Sequence, residues 1–367
     1  MDRPHFITPA MSILLDAVRA GAALLVLGGH AVQMGLYTGP YPFGPTMQHN
    51  AVIVFFVLSG LVIAHSVQKG GYTLGEYAIA RAARIVPVSL FAIGFAAVIY
   101  LAVTARGLVP ALAPSPYDEF SLAALVMPAL FLSESTGGVG PVWNPPYWSL
   151  TYEVWFYAIF AAGFFLRGPS RILWIAVLCW VAGWKILLML PIWLLGAGLA
   201  RYGGAWQPDA TRSVPLALAA TVCLVAGAQF ANPAAYLMHQ LHAPFGVRLG
   251  FSEFFVTDFV MGLGIAMLFV ASKPWAERFH GALVLAKPPI AWFAGFSFSL
   301  YILHWPMLSA LSALGIGAGD SPLAFAALLG GIIGVCALAA QFTEYRSGDI
   351  RRWMASRVLQ VRGAATA

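Results

Sequence analysis

Ten apolar runs, most of them near the length of a bilayer-crossing helix, constrain this chain more than any other feature. They fall at 12–36, 50–67, 86–105, 148–166, 171–185, 187–201, 213–231, 254–272, 288–314 and 323–343. A hydrocarbon core of about 30 Å takes roughly 20 residues of helix, and inside it every backbone amide must be satisfied within the chain. Only 9% of the 367 residues are charged, against 60% hydrophobic, whereas soluble domains carry about 25% charged residues. The expected fold is all-α: a polytopic membrane helical bundle of about ten transmembrane helices. The runs 171–185 and 187–201 are short, and the stretch 121–133 suits a re-entrant or interfacial helix better than a span.

The net charge of +6 lies between the apolar runs and not along one soluble stripe, which argues against a nucleic-acid partner. With the N-terminus inside, every Lys and Arg except Arg19, Arg106, Lys185 and Arg248 falls on the cytosolic side, as the positive-inside bias requires. Counting 121–133 as a full span would largely abolish that bias. Both termini are therefore expected in the cytosol. A membrane domain over 1–345 is followed by a basic cytosolic tail, 346–367, whose pattern allows a short amphipathic helix. MDRPHFITPAMS has no cleavable signal pattern, so the first span is expected to remain. Cys179, Cys223 and Cys336 sit singly in apolar runs, without Cys-x-x-Cys or Cys/His spacing, and no metal site is expected.

Ionisable residues inside spans are costly and become functional candidates by default. Asp16, His65, Asp258 and Glu344 lie near span ends and can reach the interface. Arg19, His30, Glu153 and His304 are harder to dismiss. Eleven residues of helix rise about 16 Å and return to nearly the same face, so Arg19 and His30 share one side of the first span. Gly28 and Gly29 open space beside His30. In PPYWSLTYEVWFYAIF, Ser149 and Glu153 lie one turn apart. They are either part of a pocket or a tie between helices. In FSFSLYILHWPML, Tyr301 and His304 lie one turn apart with Pro306 just beyond, and His304 reads equally as a packing residue or a catalyst.

LDAVRAGAALLVLGGH (Arg19 and His30 in an R-x10-H spacing), FFVLSG at 55–60, ARAARIVP with Arg81 and Arg84, WSLTYEVWFY at 148–157 and SLYILHWP at 299–306 occur in that order. Together they resemble the acyltransferase 3 family of bacterial integral membrane acyltransferases over nearly the whole length. Two positions depart from the family pattern: Ala80 stands where paired arginines usually open the basic cluster, and Glu344 is followed by Tyr345 and Arg346 instead of Lys-Pro. No counterpart of the SGNH-type hydrolase domain carried by many relatives is expected. GDS at 319–321 resembles only a fragment of that domain's motif.

The resemblance implies an O-acyltransferase of the bacterial cytoplasmic (inner) membrane. It would move an acyl group, commonly acetyl, from acyl-CoA to a hydroxyl of a carbohydrate or other small acceptor. Acyl-CoA is then a co-substrate, and no tightly bound cofactor is expected. Arg19, Arg81 and Arg84 offer guanidinium groups to its phosphates, and the pantetheine arm is comparable in length to the Arg19-to-His30 rise. His30 is assigned as general base, with Glu153 orienting its ring. Ser149, Tyr301 and His304 are candidate oxyanion or acceptor contacts. Trp148, with Trp143 and Tyr147, forms a sugar-stacking platform or an interfacial belt. The competing reading is a transporter or flippase of a polar lipid or glycan, where buried charges and Gly-Pro breaks also occur.

Overall fold

The computed structural model describes residues 5–44, 47–112, 119–137, 139–206, 208–246 and 248–365. Arg3, one of the cations assigned to the cytosol, and the last two residues of the tail lie outside them. Among the described residues thirteen α-helices follow one another without a strand. They are α1 Pro9–Gln33, α2 Met47–Gly70, α3 Leu74–Thr104, α4 Ala123–Ala129, α5 Tyr147–Phe165, α6 Gly168–Ala182 and α7 Trp184–Tyr202. Then come α8 Ala210–His242, α9 Phe255–Arg278, α10 His280–Gly295, α11 Ser297–Ala313, α12 Pro322–Phe342 and α13 Ser347–Ala365.

Every apolar run is helical over most of its length, and the chain is a polytopic helical membrane bundle. Among the described residues seven helices, α1, α2, α3, α7, α8, α9 and α12, are long and apolar enough to cross a membrane, and an eighth arises if α10 and α11 are one broken span. Ten were expected. The 15 residues of α6 rise only about 22 Å, and the 19-residue α5 dilutes its apolar run with Ser149, Thr151, Tyr152, Glu153 and Tyr157. The stretch 121–133 holds the seven-residue α4 and the first residue of the π-helical turn Ser133–Gly137, too short to cross a membrane. Large apolar side chains such as Leu218, Val222, Leu323 and Leu338 are more than half exposed, as lipid-facing positions are.

Two boundaries differ from expectation because of local chemistry. α3 starts at Leu74, twelve residues before the apolar run. Thr73 and Glu76 form a capping box there: Glu76 N–H donates to the Thr73 hydroxyl at 3.3 Å, and Thr73 N–H to the Glu76 carboxylate at 2.9 Å, satisfying two amides a helix start leaves unpaired. Arg81 and Arg84 therefore ride on a helix, three residues apart. α8 begins where the Asp209 carboxylate accepts the Arg212 N–H at 2.8 Å. It runs on through Pro233 to His242, eleven residues past the end of the apolar run 213–231.

The chain divides into two compact units. One comprises Met1–Leu25, Thr46–Gly71 and Cys179–Ala294. Its helices approach closely at glycines. A Cβ on Gly60 of α2 would lie 2.0 Å from the Trp193 carbonyl oxygen, and one on Gly196 of α7 would lie 1.8 Å from that of Val57. Gly60 ends FFVLSG, so this motif's glycine is a helix-crossing point. α8 and α9 meet similarly, with Gly264 against the Ala220 carbonyl and Gly227 against that of Thr257. Small residues let backbones close where lipid provides no hydrophobic drive between helices. Buried Asp258 accepts from His49 Nε2 at 2.9 Å, and His65 stands edge-to-face with His5.

The other unit comprises Val26–Pro45, Tyr72–Leu178 and Gly295–Ala367. Here α11 packs against α3 and α12, and α13 lies along α3, with the Arg351 guanidinium 5.5 Å from the Tyr72 ring centre. The segment after α1 is pinned to the turn before α12 by Thr38 N–H donating to Gly319 O at 2.8 Å and Ala318 N–H to Leu36 O at 2.6 Å. Within GDS, the Ser321 hydroxyl accepts the Ala324 N–H and caps α12, with Pro322 opening that helix. The hydrolase-like triplet is a helix start.

Candidate active site

All the central groups of the site lie in the second unit. His30 occupies the last turn of α1, and His304, fully buried, lies in the middle of α11. Their Nδ1 and Nε2 atoms, respectively, approach to 2.8 Å. The rings are tilted by only 4°, with centres 5.0 Å apart. That separation is what two ring radii and one N···N hydrogen bond add up to, so the rings meet edge to edge in one plane and are not face-stacked. Trp305 stands at 74° to the His30 ring, 4.6 Å between centres.

The hydrogen-bond chain sets the tautomers. His304 Nδ1 lies 3.2 Å from the Leu300 carbonyl, which can only accept, so this nitrogen carries the hydrogen. In a neutral imidazole the other nitrogen is then the acceptor. His304 Nε2 accepts from His30 Nδ1–H, and His30 Nε2 keeps a free lone pair. A backbone carbonyl on α11 thereby fixes which nitrogen of His30 can take a proton.

α11 itself is positioned from both ends. At its start, the buried Glu344 carboxylate accepts from Ser299 N–H and Ser299 Oγ–H, each at 3.0 Å, in the manner of a helix cap. Arg84 lies 3.5 Å from the same carboxylate. Further along, Pro306 has no N–H to give the Ile302 carbonyl. Asn144, fully buried, supplies the missing donor through Nδ2 at 2.9 Å. This residue was not singled out from the sequence, although the signal was present in LHWP: a proline inside a helix leaves a carbonyl that needs a partner.

Tyr301 and Ser149 meet hydroxyl to hydroxyl at 2.7 Å, and each lies 3.2 Å from the Pro146 carbonyl. Two hydroxyl hydrogens therefore serve one another and that carbonyl, tying α11 to the first turn of α5. Tyr147, on that same turn, donates to the Pro128 carbonyl at 2.8 Å and pairs with Ser89. Glu153 accepts from the Tyr157 hydroxyl one turn along α5, and no hydrogen bond joins it to His30. Trp148 is buried and stands edge-on to Tyr152. Trp143 is buried in the left-handed backbone region, φ +47°, against Tyr100.

The remaining cations are distributed as follows. Arg81 borders an apolar cavity of about 570 Å³ together with Tyr77, Phe131 and Tyr157, and its Nε is buried with no partner. Arg19, on α1 in the first unit, pairs with Asp16 at 3.1 Å. The space left by Gly28 is taken by Tyr41, whose hydroxyl would lie 2.8 Å from a Cβ there. Burial pushes the Tyr41 phenol pKa up.

Comparison with known proteins agrees with this architecture. The chain is 33% identical over 172 residues, 42% of its own length and 82% of the relative's, to "Protein 2 in picA locus" of Rhizobium radiobacter. No solved structure matches it. The sequence pattern described as "Acyltransferase domain" matches residues 13–341, a region that holds Arg19, His30, Arg81, Arg84 and His304. With that match spanning most of its length, the chain belongs to the acyltransferase 3 family and is a multi-pass membrane acyltransferase.

Proposed function

We propose that the protein transfers an acyl group, acetyl above all, from acyl-CoA to a hydroxyl of a carbohydrate or another small acceptor, with His30 Nε2 as general base. The observation that supports this reading is the chain from the Leu300 carbonyl through His304 to His30, which leaves one nitrogen bare. In the transfer step the acceptor oxygen attacks the thioester carbon as its proton passes to His30 Nε2. The C–S bond breaks, and the departing thiolate takes that proton from the imidazolium. Direct transfer needs no acyl-enzyme. His304 then fills the orienting role that a carboxylate fills in a triad, and Glu153 with Tyr157 contacts the acceptor.

Trp305 Nε1–H, buried without a partner on an indole that touches the His30 ring, is the donor for the developing oxyanion. Tyr301 and Ser149 hold α11, and Trp148 backs the acceptor. Arg81 and Arg84 bind CoA phosphates, for which a guanidinium fork is well matched. Arg19, the arginine of the R-x10-H motif, is assigned to the same phosphate chemistry. The enzyme works as a multi-pass protein of the bacterial cytoplasmic membrane, both termini in the cytosol.

The test uses purified protein in lipid nanodiscs with labelled acetyl-CoA and a panel of glycan and small-molecule hydroxyl acceptors. Label moves to an acceptor with release of CoA, and His30→Ala lowers the rate by about 10²–10⁴-fold while remaining folded. Movement of unmodified acceptor across the bilayer, with no CoA released, would establish a transporter instead.

A further inference from the structure

Outside the acyl-transfer site, the first unit brings three donor groups together where no metal spacing was evident in the sequence. His239 and His242 lie one turn apart in the last turn of α8, and Glu253 lies in the 3-10 turn Gly250–Phe254 that leads into α9. His239 Nδ1 and His242 Nε2 are each 3.0 Å from the same oxygen, Oε1 of Glu253. The three donor atoms all lie within 4.8 Å of one another.

We infer that His239, His242 and Glu253 bind one divalent transition-metal ion of the imidazole-preferring kind, zinc, cobalt or nickel. A tetrahedral zinc site with bonds of about 2.0–2.2 Å has its ligand atoms roughly 3.3–3.5 Å apart. The two His–Glu distances of 3.0 Å therefore need to open by only a few tenths of an ångström, and the two imidazole nitrogens, no more than 4.8 Å apart, already stand on either side of the carboxylate oxygen. Two imidazole nitrogens and a single carboxylate, with no thiolate, select borderline ions over calcium or magnesium, which take mostly oxygen. His239 is 55% exposed and gives the ion a way in, while His242, at 11%, is held in place. Three protein ligands leave a fourth position for water.

The two imidazoles are one helical turn apart and the carboxylate is eleven residues further on. An ion here closes the connection between α8 and α9, so its effect is on the stability of that hairpin.

The experiment uses full-length protein, freed of any polyhistidine tag and stripped with chelator, titrated with zinc by calorimetry and with cobalt by visible absorption. Wild type takes up one equivalent of zinc, shows the d–d bands of a low-coordinate cobalt site and melts at a higher temperature with zinc than with chelator. Each of His239→Gln, His242→Gln and Glu253→Gln weakens zinc binding at least tenfold, and the double change His242→Gln/Glu253→Gln abolishes the cobalt bands. Melting in chelator shows that the variants are folded. Zinc binding that is equal in wild type and double variant, or absent from wild type, overturns the assignment and leaves a His–Glu ion pair.

Discussion

His30 Nδ1 and His304 Nε2 are 2.8 Å apart in rings tilted by only 4°, although 274 residues separate them in the chain. One imidazole therefore dictates the tautomer of the other.

Removing that partner affects turnover more than binding. In His304→Ala nothing holds hydrogen on His30 Nδ1, so the bare nitrogen can face either way. A loss of at least about tenfold is expected, and as much as about 10⁴-fold is known where the group that fixes a catalytic imidazole's tautomer is changed. It should appear in kcat with KM for acyl-CoA nearly unchanged. His304→Gln, whose amide oxygen can accept from His30, recovers part of the rate. Equal kcat in the Ala and Gln variants would remove His304 from this role.

Asn144 and Pro306 should be energetically coupled. Asn144→Ala leaves the Ile302 carbonyl buried and unpaired, a cost of about 1–3 kcal/mol. Pro306→Ala restores the helical N–H to that carbonyl. In the double variant the Asn144 substitution should cost clearly less than in wild type, as read from thermal unfolding in detergent by a double-mutant cycle. Strict additivity would mean that the hydrogen bond does not carry the effect.

Glu344 links the start of α11 to Arg84. Glu344→Ala removes an acceptor from two Ser299 donors and is expected to lower stability by about 0.5–2 kcal/mol, the range of a lost helix cap. Arg84→Ala should be nearly neutral in stability because that ion pair is partly open to solvent (43% for the Arg84 side chain). On the proposed reading it raises KM for acyl-CoA severalfold. A KM identical to wild type, measured in nanodiscs, would exclude a phosphate contact by Arg84.

The α2–α7 crossing tolerates no side chain at two positions. Gly196→Ala would push a methyl group into the Val57 carbonyl, whereas Gly198→Ala meets nothing within 4 Å. The first is expected to cut the yield of folded, monodisperse protein and the second to leave it intact, as size-exclusion profiles from parallel expressions would report. Matching profiles would show that the crossing relaxes without cost.

The membrane class and most of the apolar helical segments were legible from the sequence, because burial in lipid forces long apolar runs and makes any charge within one conspicuous. Arg19, His30 and His304 stood out in this way. Helical periodicity orders residues within one segment and is silent about which faces of distant segments meet. Tertiary packing alone decided that His304, not Glu153, is hydrogen-bonded to His30, and that Asn144 completes the backbone broken by Pro306. It also gathered His239, His242 and Glu253 at one point. Those outcomes depend on how closely helices approach, and glycines such as Gly60 and Gly196 set that distance through contacts between backbones far apart in the chain.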